Sequence, residues 1–207
     1  MTVEGRKTRN DKKRAIGAPL TKTQHEKIVE LSYLCDLPMK TIGEALIVSG
    51  FEKDEVINAF QIHFRRNLTY KKNRFIIGNL DNEPYALLKN QAKRLSVRLR
   101  SNDYERISEL AYAMDVSVQG AAASIIAEVL KQQQGKVMYD IMAQLIKSNL
   151  DETTTEQVRR LASHIDAKSP HDYVTVNMVL GYALEKAIEE QKKVRLVLDG
   201  WRKSLKI

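Results

Sequence analysis

Over residues 93–100 the chain alternates without interruption: Arg94, Ser96, Arg98 and Arg100 fall on one side, Leu95, Val97 and Leu99 on the other. Period-two alternation marks a half-buried β-strand, because successive side chains of a strand leave opposite faces. A single strand leaves its backbone N–H and C=O groups without partners, so a second strand must lie beside it. Any fold for this chain therefore buries an aliphatic face of a ribbon and leaves a basic polar face outside.

Two helices are expected next. Ser101 or Asn102 is placed to cap one running to about Met114, with Tyr104, Ile107, Leu110, Ala111 and Met114 as its apolar stripe. Residues 115–117 break it. Ser117 then caps a second helix carrying Ala121, Ala122, Ile125, Ile126, Val129 and Leu130, which runs into the polar stretch 131–136.

A shift of 79 residues superposes an earlier stretch on this block: Leu20 falls on Leu99, Glu26 on Glu105, Lys27 on Arg106, Ile28 on Ile107, Glu30 on Glu109 and Leu31 on Leu110. Tyr33-Leu34-Cys35-Asp36-Leu37 likewise falls on Tyr112-Ala113-Met114-Asp115-Val116. Shared polar as well as apolar positions exceed what helical periodicity demands and point to a duplication. In the first copy Thr21 or Thr23 caps a helix, and Pro38 sits near the start of a second with Ile42, Ala45 and Leu46 inward. Its strand equivalent, residues 14–20, departs from the pattern: it contains Gly17 and Pro19 and faces no basic residue outward after Arg14. A weaker third match at a shift of 51 sets Leu150 on Leu99, Glu156 on Glu105, Val158 on Ile107, and Leu161-Ala162 on Leu110-Ala111.

Elsewhere a third helix is expected over 53–64 with Val56, Ile57, Phe60 and Phe64 on one face, followed by a basic stretch 65–74, a short strand at 75–77, and turn residues at 78–84 that mark a domain boundary. Further helices are expected at 137–146, 155–165 and 173–198. The expected organisation is a flexible basic arm (1–14), an N-terminal helical domain with a degenerate copy of the strand-helix-helix unit (15–80), the complete unit (85–135) and a C-terminal helical domain, itself a further related unit if the third match holds (137–207).

The run Lys93-Arg-Leu-Ser-Val-Arg-Leu-Arg100, the helix from Ser101, the turn Met114-Asp-Val-Ser-Val118 and the second helix together resemble the ribbon-helix-helix family of bacterial DNA-binding proteins, best over 93–131 and in degenerate form over about 14–50. The resemblance implies a mainly α fold with a short β-ribbon, a ribbon-helix-helix element within a multi-domain helical protein. It implies that two strands from two such units pair antiparallel and enter the major groove of double-stranded DNA, with Arg94, Ser96 and Arg98 facing bases. Ser117 and Val118, at the first turn of the second helix, would offer N–H groups to a phosphate. Lys93, Arg100, Arg65, Arg66, Lys71, Lys72, Arg74, Lys12 and Lys13 are the further phosphate candidates. The strands pair either between two chains, as a homodimer, or within one chain, as a pseudo-dimer; the closer match of the middle strand to a copy of itself favours two chains. Higher assembly on repeated sites is compatible with either arrangement.

Composition sets the other boundaries. A formal charge of +8, from 34 Lys and Arg against 26 Asp and Glu, favours an anionic partner. Cys35 is the sole cysteine, which fits a reducing, cytoplasmic setting, and no apolar segment follows the basic first fourteen residues as a signal peptide would require. No window reaches membrane-spanning length, so no membrane partner is expected. His25, His63, His164 and His171 are scattered and the glycines stand singly, so neither a metal set nor a phosphate loop is expected; the chain reads as a non-enzyme without cofactor. An aromatic fraction of 6% argues against stacking on single-stranded RNA. The expected function is sequence-specific binding of duplex DNA by a regulator or accessory protein of a bacterial plasmid or mobile element, in transcription, replication, partition or transfer. The alternative is a non-enzymatic assembly factor with non-specific nucleic-acid affinity, for which Ala121, Ala122, Ala123 and Ala127 supply a close-packing surface.

Overall fold

The second strand that Lys93–Leu99 requires is Arg14–Leu20 of the same chain, paired antiparallel along its whole length. The structure is a computed structural model and describes residues 13–71, 74–87, 89–131, 136–168 and 173–204. In chain order the elements are β1 (Arg14–Leu20), α1 (Lys22–Cys35), α2 (Met39–Phe51), α3 (Asp54–Phe60) with a 3-10 turn (Gln61–His63), β2 (Leu68–Tyr70), β3 (Arg74–Ile76), β4 (Lys93–Leu99), α4 (Ser101–Met114), α5 (Val118–Lys131), α6 (Lys136–Asn149), α7 (Glu152–Asp166) and α8 (Val176–Ser204). The protein is mainly helical, with two short antiparallel sheets among the described residues, β1-β4 and β2-β3.

Pairing within the chain corrects the expectation that β4 would pair with its copy in a second chain. The irregular residues of β1 do not obstruct the ladder. Ile16, Ala18 and Leu20 are buried beside Leu95, Val97 and Leu99, while Gly17 and Pro19 fall on the outer face. Proline is tolerated on edge strands, and both strands of a two-stranded ribbon are edges. Each large aliphatic side chain beneath the ribbon contributes about 1.5–3 kcal/mol by leaving water, which offsets the low strand propensity of glycine and proline.

The duplication is structural as well as sequential. The step from Arg14 to Lys93, 79 residues, carries β1 onto β4 and α1 onto α4 at both ends, and α2 onto the first thirteen residues of α5. Both first helices end at an aspartate in the left-handed region, Asp36 (φ 50°) and Asp115 (φ 57°), a conformation that Asp adopts more readily than most residues. The following amides, Leu37 N–H to Ser32 O (3.1 Å) and Val116 N–H to Ala111 O (3.0 Å), close the two ends alike. The same step maps Gly17 onto Ser96, and these two are cross-strand partners. The local two-fold relating the units therefore runs through that pair.

The second helices are exchanged: α2 packs on β4 and α5 on β1, and the two helices cross each other. At Gly43 of α2 an added Cβ would stand 2.5 Å from Leu95 Cδ2 and 2.8 Å from Val97 Cγ1, so the helix lies directly on the strand. Gly50 serves the same purpose where α2 meets Ile125 and Val129 of α5. One continuous core runs through both units and on to Leu184 and Ile188 of α8. The turn at 78–84, expected as a domain boundary, connects units that share that core.

Several local expectations are corrected. Helix α4 begins at Ser101 with Arg100 as its N-cap, and the Ser101 hydroxyl bonds Glu105 instead of capping the backbone. The third helix stops at Phe60, where the chain tightens into the 3-10 turn. The strand expected at 75–77 occupies Arg74–Ile76 and pairs with β2, which lies inside the basic stretch. The shift of 51 sets α7 on α4, but residues 144–150, which would be its ribbon strand, are the end of α6 and the residue after it; a third strand-helix-helix unit is not formed. Thr21, one of the two expected caps, caps α1 in a full capping box, and Asp151 caps α7 through Thr154 N–H (2.8 Å).

Candidate nucleic-acid interface

The outer face of the ribbon carries Arg94, Ser96 and Arg98 from β4, all exposed because their neighbours Leu95, Val97 and Leu99 point into the core. Across the strands, Arg94 faces Pro19, Ser96 faces Gly17 and Arg98 faces Ala15. Lys93 lies at one end of β4 and Arg100 just beyond the other, both exposed. Among the described residues none of Lys93, Arg94, Arg98 and Arg100 forms an ion pair. Four cations thus stand unneutralised on and beside a ribbon of the width that fits a major groove.

The other basic candidates among the described residues, Lys13, Arg65, Arg66, Lys71 and Arg74, are placed differently, because each is engaged by a carboxylate. Lys13 Nζ lies 2.8 Å from Glu44 Oε1. Arg65 and Arg66 both grip Asp115, at 2.6 and 2.8 Å, and Arg66 also donates to Tyr112 O (2.9 Å) and stacks over the Tyr112 ring. Their backbone N–H groups both reach Ala113 O, so this pair fastens the segment after α3 to the end of α4. The hydrogen bond from Arg66 is the main reason that Asp115 is held below the usual carboxylate range. Lys71 lies 2.7 Å from Asp54, and Arg74 reaches Asp54 (3.3 Å) and Asn58 (2.8 Å). The Lys71 hydrogen bond likewise depresses Asp54. Lys12 and Lys72 lie outside the described residues, as does His171.

Ser117 is exposed at the start of α5, and its Oγ accepts from Gly120 N–H (3.0 Å). One orphan amide of the first turn is thereby satisfied, while those of Val118 and Gln119 head the helix. The connector packs here: an added Cβ at Gly120 would stand 3.1 Å from Leu87 Cδ1. The local two-fold maps Ser117 and Val118 onto Pro38 and Met39, where α2 begins without a side-chain cap.

Ala15, Gly17 and Pro19, the other half of the outer face, were not among the sequence candidates. Two signals could have found them: the 79-residue step, and the buried alternation Ile16, Ala18, Leu20 that fixes which side they occupy. Among the described residues no three His, Cys, Asp or Glu side chains come together as a metal site, and no single helix is long and apolar enough to cross a membrane. Comparison with protein families, curated proteins and solved structures finds no match to this chain.

Proposed function

We propose that β1 and β4, with the helix pairs behind them, act as a ribbon-helix-helix element that binds double-stranded DNA with the ribbon in the major groove. The observation that carries this reading is the contrast in charge neutralisation: the ribbon cations are exposed and free of carboxylates, while Lys13, Arg65, Arg66, Lys71 and Arg74 are held in ion pairs. In this reading Arg94 and Arg98 donate to base edges, where Arg to guanine O6 and N7 is the commonest specific contact, and Ser96 pairs more permissively. Lys93 and Arg100 meet phosphates at the ribbon ends, and the first turns of α5 and α2 flank it as amide donors. The protein acts by occupancy, not catalysis, as a regulator or accessory protein of a bacterial plasmid or mobile element; that setting rests on analogy with the family it resembles.

The test is selection of bound duplexes from a random pool, followed by titration of the selected site and an unrelated duplex over a range of salt. Arg94→Ala and Arg98→Ala are each expected to remove roughly 1–3 kcal/mol of discrimination between the two. Lys93→Ala and Arg100→Ala should each flatten the slope of log K against log salt by about 0.9, whereas Lys71→Ala and Arg65→Ala should leave it nearly unchanged because their charges are already neutralised. Equal losses on both duplexes after the arginine changes would refute base reading by the ribbon.

A further inference from the structure

We infer that the DNA site is not palindromic and is occupied by a single chain, an inference that rests on the major-groove reading above. A ribbon built from two identical strands repeats its outward residues through the two-fold, so its target mirrors that symmetry. Here the two-fold passes through Gly17 and Ser96, and the 79-residue step equates Arg94 with Ala15, Ser96 with Gly17 and Arg98 with Pro19. One end of the ribbon presents Arg94 beside Pro19, the other Arg98 beside Ala15; the two-fold carries one pair of positions onto the other, but it sets Arg94 on Ala15 and Pro19 on Arg98, so neither arginine is repeated. The backbone and the core are pseudo-symmetric; the chemistry offered to DNA is not.

The two strands have different capacities. Arg94 and Arg98 bring bidentate donors suited to guanine, and their Cα atoms lie about 13 Å apart along the strand, the length of about four base-pair steps at ~3.4 Å. Ala15 and Pro19 bring no donor; their carbon surfaces suit a thymine methyl group, as alanine does in other grooves. Gly17 has nothing within 4 Å of where its Cβ would be, so the centre of this strand leaves room for the duplex to come close. The expected site has two G·C pairs about four steps apart on the side read by β4, with A·T pairs favoured on the side facing β1. Because both strands come from one chain, a second copy is not needed to complete the ribbon.

The experiment is duplex selection with the wild-type chain and with the triple variant Ala15→Arg/Gly17→Ser/Pro19→Arg, with sedimentation of each complex for stoichiometry. All three substitutions lie on the outer face, and a thermal melt checks that the variant folds. The wild type is expected to select a motif without inverted symmetry at one chain per duplex. Replacing either guanine should weaken binding about 5- to 150-fold, and changing the mirror-related base pairs should weaken it less. The triple variant should shift selection to an inverted repeat. Selection of an inverted repeat by the wild type, or two chains on each minimal site, would overturn this inference while leaving DNA reading intact. Absence of any enriched sequence would overturn the DNA reading itself and this inference with it. If the triple variant fails to fold, the wild-type motif and stoichiometry still decide.

Discussion

Pairing of β1 with β4 inside one chain can be tested by a cross-link at the two-fold. Gly17 and Ser96 are cross-strand partners on the open face of the ribbon. Directly opposed residues of an antiparallel pair have Cα atoms about 4.5–5.5 Å apart, inside the disulfide range of about 4.4–6.8 Å. The perturbation is Gly17→Cys with Ser96→Cys in a Cys35→Ala background, which removes the sole native thiol. The bond would close a loop of about 80 residues, and the chain-entropy relation assigns such a loop about 4.5 kcal/mol at 25 °C, an upper figure because native strain subtracts from it. Non-reducing electrophoresis should show oxidised protein at single-chain mobility, and urea unfolding should move to higher denaturant by about 2–4 kcal/mol, reversed by reductant. The single variant Ser96→Cys provides the decisive comparison. Were β4 to pair with its own copy across two chains, Ser96 would face Ser96, and that variant alone would oxidise to a covalent dimer. Quantitative dimer from the single variant, or dimer instead of cross-linked monomer from the double variant, would refute the intrachain ribbon.

Two further outcomes follow from the packing. Gly43→Ala places a methyl group 2.5 Å from Leu95 Cδ2, so overpacking of about 1–3 kcal/mol outweighs the roughly 1 kcal/mol of helix propensity gained; Gly17→Ala meets open space and should stabilise by about 0.5–1 kcal/mol. Urea midpoints check both, and a stabilising Gly43→Ala would mean that α2 does not lie on β4 as described. Asp115 is depressed by Arg66 and Arg65, so its contact stabilises at pH values above that of a free aspartate and fades as acid titrates the group through its lowered folded value. The stability difference between wild type and Asp115→Asn should shrink on acidification, and a carboxyl NMR titration with a midpoint above about 3.9 would contradict the ion pair.

What was legible in the chain followed from short-range pattern. The alternation at 93–99 fixed β4 and its outward residues, and the shared polar positions at a 79-residue step anticipated the duplication of strand, helix, turn and helix. What escaped was settled by partners distant in sequence. Gly17 and Pro19 made β1 read as a broken strand, because the alternation that matters there rests on Ile16, Ala18 and Leu20 beneath them. Arg65 and Arg66 read as a free basic patch, yet Asp115 lies about 50 residues away and is brought to them by the αL end of α4. The exchange of α2 and α5 across the ribbon had no local signal, since both faces of that contact are apolar in either arrangement. At 144–149 helical continuation of α6 prevailed over the weak third match, which carried no alternation of its own.

Joining both units in one chain changes what each strand must do. In a ribbon of two identical chains every substitution appears twice, so a residue that spoils one strand spoils both. Here Arg94 and Arg98 have equivalents, Ala15 and Pro19, that are free to be something else. Strand β1 keeps the duties that the core enforces: Ile16, Ala18 and Leu20 are buried, and its pairing holds β4 in place. The exchanged helices reinforce this division, because α5 rests on β1 while α2 rests on β4. Changes at Ile16 or Leu20 should therefore unfold the whole element, including the strand that carries the arginines. Changes at Ala15 or Gly17 reach only the outer face, where they alter what the ribbon presents without altering what holds it together.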